Sequence, residues 1–151
     1  MIRALIPVAV ALAAAPLTAQ VVQPCDWQAS VQAIPEPWEA HTRTFANGAV
    51  RLAALDTVEP AQGFAWLLVL SPPLNELGER QCRVIGAAAG LGFAGLDFAA
   101  LQAGYDPATG LVIDLPVTIV DPASALSEAR GLQVTVNQAT GAVAARLEAA
   151  Q

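Results

Sequence analysis

The chain has 151 residues, a formal net charge of −6 and seven basic residues, all of them arginine. An acidic chain without a basic cluster argues against partners that are nucleic acids or anionic membrane surfaces. Hydrophobic residues make up 55% of the sequence and charged residues 13%. We therefore expect one domain with a substantial core and a weakly charged surface.

The first 19 residues have the order of a cleavable secretory signal peptide. Arg3 precedes an apolar run over residues 4–17, and Ala19 is the small residue before the expected cleavage point. The apolar run is too short to span a bilayer as a helix. We therefore predict a periplasmic or secreted chain whose mature form has no transmembrane segment.

The two cysteines, Cys25 and Cys82, predict one disulfide, because an even number of cysteines in an exported chain favours pairing. The alternative is a free thiol nucleophile next to His41. The predicted bond would tie an extended N-terminal arm, residues 20–40, to a β-rich domain, residues 41–151. Prolines exclude regular helix over most of this arm, and we interpret Trp27 as its anchor.

The first half of the domain shows strand patterns. Asn47-Gly48 is the signal of a two-residue hairpin turn, and the continuous apolar run 64–71 is typical of a central strand covered on both faces. Residues 71–80 predict one helical turn that ends at Gly78, and residues 81–88 predict the next strand.

The second half alternates strand and turn signals. The pattern of residues 96–105 fits both the helical period and the two-residue period of a strand, and we favour a strand. Pro116 places strand 111–120 at a sheet edge or a bulge. Asp121 followed by proline, with Gly131 beyond, is typical of a capped helix. Two more strands follow. Seven or eight short strands predict an all-β fold, a single antiparallel β-sandwich or small barrel with short helical turns.

Gly90, Gly92 and Gly95 have the spacing of a dinucleotide-binding turn, and Asp114 lies 19 residues further on. That fold also requires a helix and a parallel strand directly downstream, and neither is predicted here. We interpret the motif as a glycine-rich bend between strands and predict no cofactor.

No residue combination predicts a catalytic or metal site. His41 is the only histidine, so we expect neither a metal site nor a general base, but a surface residue on the first hairpin strand. No serine lies in a Gly-x-Ser-x-Gly motif. Two acid pairs, Glu36 with Glu39 and Glu76 with Glu79, could serve a carboxylate-pair hydrolase, although such pairs are more typical of solvated loops.

The three tryptophans are the remaining binding candidates. Trp66 lies in the apolar run and is expected in the core. Trp27 and Trp38 lie in the arm, where an exposed indole could stack on a sugar or anchor a peptide. Packing of the arm against the domain is the alternative that we favour for them.

Four segments, beginning at Cys25, Thr42, Leu67 and Gly92, together resemble small exported hypothetical proteins of alphaproteobacteria: "CDWQASVQAIPEPWE", "TRTFANGAVRLAALDT", "LLVLSPP…ELGERQCRV" and "GFAGLDFAAL…YDPATG". No activity, ligand or active site is assigned to that group. The resemblance implies export and a bacterial source, and it assigns a role to no residue.

These observations favour an exported binding or interaction module without enzymatic activity, whose partner is an envelope protein or peptide. The alternatives are a small envelope hydrolase with a carboxylate pair and an inhibitor or assembly factor for an envelope protein. A protruding, rigid loop such as 72–80 would favour the inhibitor or assembly factor. The ligand and the oligomeric state are left open by the sequence.

Overall fold

The computed structural model describes residues 21–149, in which ten strands form two five-stranded antiparallel sheets. The first sheet contains β1 (Val22–Pro24), β2 (Thr42–Phe45), β3 (Val50–Asp56), β4 (Ala65–Leu74) and β5 (Arg80–Ile85). The second contains β6 (Gly95–Leu96), β7 (Gln102–Asp106), β8 (Gly110–Val120), β9 (Ser127–Val136) and β10 (Val143–Ala149). This architecture confirms the predicted all-β fold. The predicted signal peptide lies outside the described residues.

The strand order places β4 and β8 at the centres of the two sheets. The first sheet has the order β1-β5-β4-β3-β2, and the second runs β10-β9-β8, with β6 and β7 both paired to the far side of β8. A 3₁₀ turn (Val31–Ala33) and a single α-helical turn, α1 (Trp38–His41), precede β2. Within residues 21–149, no helix is long and apolar enough to cross a membrane.

The main core lies between the inner faces of the two sheets, and the alternation of apolar residues along the strands determines its members. On β8, the alternating residues Leu111, Ile113, Leu115 and Val117 are all buried in it. The other strands contribute in the same way: Val50, Leu52 and Ala54 on β3, Ala65, Leu67 and Val69 on β4, and Leu132, Val134 and Val136 on β9.

The outer face of the first sheet is also apolar, and the N-terminal arm covers it. Trp66 is completely buried there, in a second cluster with Ala33 of the arm and with Ala53, Leu55 and Val84 of the sheet. Both faces of β4 are therefore buried, as the continuous apolar run predicted. Full burial of an indole is worth a few kcal/mol, since Trp→Ala in a core costs about 3–5 kcal/mol.

Three features hold the arm on this face. Cys25 and Cys82 form the predicted disulfide, with their Cα atoms 5.3 Å apart, and β1 pairs with β5. Gln23 on β1 completes the attachment: its amide donates to Ala88 O (3.2 Å) and accepts from Gly90 N (3.1 Å). The prediction that Trp27 anchors the arm is wrong, because its side chain is 58% exposed and its small neighbours make the contacts instead.

One segment joins the two sheets. Where β5 has ended, Phe93 exchanges backbone hydrogen bonds with Ala65 at the start of β4 (2.7 and 3.0 Å). The next residue, Ala94, donates to Thr118 O on β8 (2.8 Å). The chain thus passes directly from one sheet to the other, and the fully buried Phe93 ring fills the space between them.

Two turn predictions are corrected by the structure. The first hairpin is present, but its loop is Ala46–Ala49, since Phe45 pairs with Val50. Residues 72–74 continue β4 instead of forming a helical turn, because Leu74 pairs with Arg80 across a bulge. In the first hairpin, strand pairing ends earlier than the Asn-Gly signal indicated, so the loop is longer. At residues 72–74, the strand extends further than predicted.

The helix predicted after Asp121 is a turn followed by β9. Asp121 does accept a hydrogen bond from Ala123 N (3.0 Å), as a capping residue would, but Ala125 has a positive φ of 57° and ends the turn. Residues 127–136 then pair with β8 along its whole length. Long-range pairing of a ten-residue strand overrides a local capping pattern.

Pro116 lies on a central strand instead of an edge strand. Its carbonyl accepts from Asp97 N (3.0 Å) in the connection between β6 and β7, and N–H and C=O of one residue face the same neighbour in an antiparallel ladder. Its missing N–H therefore faces the gap between two short strands, where no ladder hydrogen bond is lost.

Replacing both Cys25 and Cys82 with serine is expected to lower the free energy of unfolding by about 4 kcal/mol, the loop-closure value for this separation. Urea unfolding followed by tryptophan fluorescence measures the change. The freed arm should also become sensitive to protease while the second sheet stays protected. An unchanged urea midpoint would show that the bond contributes no stability.

The Ser124 hydroxyl donates to Asp121 (2.7 Å) and, with the backbone N–H of Ala123, lowers the pKa of that carboxyl below its ordinary value of 3.8. A lowered pKa stabilises the fold above the ordinary value, and this contribution is lost as the pH falls through the folded-state pKa. Ser124→Ala should therefore raise the Asp121 pKa and destabilise the fold at any pH above the ordinary value of 3.8, but not in stronger acid. NMR titration of the carboxyl carbon measures the pKa, with Ser127→Ala as the control.

Candidate functional site

The arm exposes both of its tryptophans. Trp27 lies in a turn closed by Ala29 N donating to Asp26 O (2.9 Å), directly after the disulfide-bonded Cys25. Trp38 is the first residue of α1 and is 50% exposed. The favoured interpretation, that both rings pack against the domain, is wrong, because small arm residues fill the space over the sheet.

Short polar contacts fix the backbone that carries Trp38. Its carbonyl accepts from the Thr42 hydroxyl (2.9 Å), and Arg43 donates to Glu39 O (2.9 Å). The Arg43 guanidinium also lies 5.4 Å from the centre of the Phe98 ring, so Arg43 links α1 to the connection between β6 and β7. The tryptophan is therefore presented on a well-supported turn instead of a loose terminus.

A second exposed apolar feature is the hairpin tip, residues 74–79, between β4 and β5. Leu77 is 84% exposed and Leu74 55% exposed. Asn75 fixes this tip: its carboxamide oxygen accepts from Leu77 N (3.0 Å) and Glu79 N (2.9 Å), and its amide donates to the Glu79 carboxylate (2.7 Å). The loop was predicted from the sequence, but the role of Asn75 was not, although an asparagine three residues before a turn glycine is a detectable signal.

A shallow depression of about 560 Å³ lies on the outer face of the second sheet. Its rim includes Asp114 on β8 and Glu148 on β10, an acid pair that the sequence analysis did not identify. Each carboxylate is held by a neighbour: Gln133 donates to Asp114 (2.8 Å), and Arg146 donates to Glu148 (2.8 Å). Both are thus arranged as hydrogen-bond acceptors on an open surface.

The acid pairs chosen from the sequence lie on exposed turns. Glu36 and Glu39 flank Trp38 on the arm, and Glu76 and Glu79 lie on the hairpin tip. His41 ends α1 instead of lying on a strand, and its Nδ1 is 3.1 Å from Pro37 O. Among the described residues, no group of three or more potential metal-binding side chains is present.

The glycine motif forms the predicted bend. Gly90 has a positive φ of 73°, and residues 91–96 form the segment that joins the two sheets. A Cβ at Gly92 would lie 2.5 Å from Gly63 O and 2.8 Å from the Trp66 indole nitrogen. Gly92 is therefore required for close backbone packing over the buried indole, whose N–H has no hydrogen-bond partner within residues 21–149.

Comparisons of the chain with protein-family models, with curated proteins and with solved structures found no match. The functional interpretation therefore rests on the surface features described above.

Gly92→Ala tests the structural role of the motif. Because the added methyl group would overlap two carbonyl oxygens and an indole, we expect a loss of at least about 2–3 kcal/mol in the free energy of unfolding. Gly104→Ala is the matched control, since an added Cβ there meets nothing within 4 Å. Equal urea midpoints for the two variants would contradict the packing role.

Proposed function

We propose that the protein is an exported interaction module that binds another polypeptide of the cell envelope and has no enzymatic activity. The observation that carries this proposal is the exposure of Trp27 and Trp38 on an arm whose backbone is fixed to the first sheet. Each of these indoles is at least half exposed, although the same arm buries its smaller residues.

Export is supported by the disulfide as well as by the predicted signal peptide. Structural disulfides persist in oxidising compartments and are rare in the cytoplasm. The Cys25–Cys82 bond also fastens the arm that carries the two indoles. We therefore propose a periplasmic or secreted location for the protein.

Exposed tryptophans on a fixed backbone are suited to protein recognition. Tryptophan is enriched among the residues that dominate binding energy at interfaces. An indole has two side-chain torsions, so its ordering on binding costs little entropy, and a preordered backbone lowers that cost further. An arm that was not fixed to the sheet would have to become ordered on binding, which would lower the affinity.

The hairpin tip favours a second candidate, an inhibitor or assembly factor that inserts a rigid loop into an envelope protein. Leu77 is the most exposed large apolar side chain of the described residues, and the Asn75 contacts hold it in place. The carboxylate-pair hydrolase has weaker support, because Asp114 and Glu148 are both held by neighbouring side chains.

Chemical cross-linking of the tagged protein in envelope extracts, followed by quantitative mass spectrometry, tests these candidates. We expect the double variant W27A/W38A to reduce recovery of the specific partner at least about tenfold, the effect of losing an interface hot spot. The control V58A/L126A removes two other exposed apolar side chains and should bind as the wild type does.

The outcomes separate the two surfaces. Loss of the partner in W27A/W38A alone supports the arm as the binding surface. Loss in L74A/L77A alone supports the inserted hairpin tip instead. Equal recovery with all three double variants would contradict both candidates, and circular dichroism of each variant excludes misfolding as a cause.

A further inference from the structure

Strand β7 has an unpaired edge. It pairs with β8 on one side, and no strand among residues 21–149 pairs with its other side. The hydrogen bond from Asp97 to Pro116 shows that the even-numbered residues of β8 face β7. Because Gly104 pairs with Val112, the backbone groups of Gly104 face β8. Those of Ala103 and Tyr105 point to the open edge.

The other edge strands of the two sheets carry features that block further pairing. β1 has three residues and ends in Pro24, β6 has two residues, and β10 carries the ion pair of Arg146 with Glu148. β2 follows α1 directly and bears Arg43. Short strands, prolines and charges are the usual protection of exposed edges. β7 has five residues, with no proline and no charge before its last residue, Asp106.

The inner face of β7 opens onto an apolar groove. Ala103 and Tyr105 pair with Ile113 and Leu111, so their side chains lie on the side of the core, yet Tyr105 is 71% exposed. Ala103 is exposed as well. The resulting groove has a volume of about 480 Å³ and is lined by Phe45, Ala46, Ala103, Gly104, Tyr105, Leu111 and Gln138.

We propose that β7 pairs antiparallel with β7 of a second copy of this chain, about a two-fold axis at Gly104. This register is the self-complementary one. Ala103 and Tyr105 present their N–H and C=O groups to the open edge, so each Ala103 exchanges two hydrogen bonds with Tyr105 of the second copy. The pairing joins the second sheets of the two molecules into one continuous sheet. It involves a surface separate from the arm and does not depend on the function proposed for the arm.

The side chains of β7 fit the same register. The small Ala103 lies opposite Tyr105 of the second copy, which leaves each tyrosine ring room to enter the groove of the other molecule. Asp106 lies opposite Gln102, an amide that can donate to the carboxylate, so no like charges meet across the strands. A five-residue contact is short, and we expect a weak dimer with a dissociation constant in the micromolar range.

Sedimentation velocity over the micromolar concentration range tests the association. We expect the wild type to dimerise and Ala103→Glu to weaken the dimer at least about tenfold, because the carboxylate would be buried opposite Tyr105 of the second copy. Ala144→Glu is the matched control. It places the same charge on β10, the opposite edge of the same sheet, and should leave the dimer unchanged.

A cysteine at Gly104 tests the register. Directly opposed residues of a non-hydrogen-bonded antiparallel pair have Cα atoms about 4.5 Å apart, within the range of a disulfide. Gly104→Cys should therefore form a covalent dimer under mild oxidation, whereas Ala144→Cys should not. The open space at Gly104 accommodates the new side chain.

Three results would overturn the proposal. The first is a wild-type protein that stays monomeric throughout the concentration series. The second is a dimer that Ala103→Glu leaves intact, since it must use another surface. The third is a chain that is monomeric alone but pairs through β7 with an extended segment of a different protein, which would make the edge a site for a foreign strand.

Discussion

The burial of both faces of β4 is the constraint on which the rest of the structure depends. A strand that is apolar on both sides needs a cover on each, and the two covers come from different parts of the chain. The second sheet covers the inner face, and the N-terminal arm covers Trp66 on the outer face. The arm is therefore a structural layer of the fold, and the disulfide fastens that layer in place.

The same constraint explains two of the four glycines between residues 86 and 95, Gly86 and Gly92. The buried indole of Trp66 lies directly beneath the backbone there, and a side chain at Gly86 or Gly92 would overlap with it. Of the three glycines that match a nucleotide-binding turn, only Gly92 packs against this indole. Gly90 has a positive φ, and a Cβ at Gly95 would approach only Thr118. The arrangement also frees the arm's own tryptophans from a core role, because Ala29, Ala33 and Ile34 fit the shallow space over the sheet.

Much of the fold could be predicted from the sequence. The alternation of apolar residues along a strand is a local pattern, and two cysteines allow only one disulfide. The strand over residues 111–120, the burial of both faces of the run 64–71 and the Cys25–Cys82 bond were predicted in this way and are confirmed. The helix predicted after Asp121 was wrong, because pairing of residues 127–136 with β8 is a long-range interaction. The exposure of Trp27 was mispredicted for a related reason. Whether an indole packs or projects depends on the depth of the surface beneath it, which no local pattern encodes.

The role of the arm as a cover also has a consequence for how the protein is made. The arm is synthesised before its binding surface exists, since Cys25 and Cys82 are separated by 57 positions. Until β4 and β5 have both formed, the apolar face around Trp66 has no cover, and pairing over such distances is slow to form. A nascent or truncated chain that ends before β5 would expose that face to self-association or to a chaperone. The earliest described residues of the chain thus reach their final position only after residues 65–85 have folded.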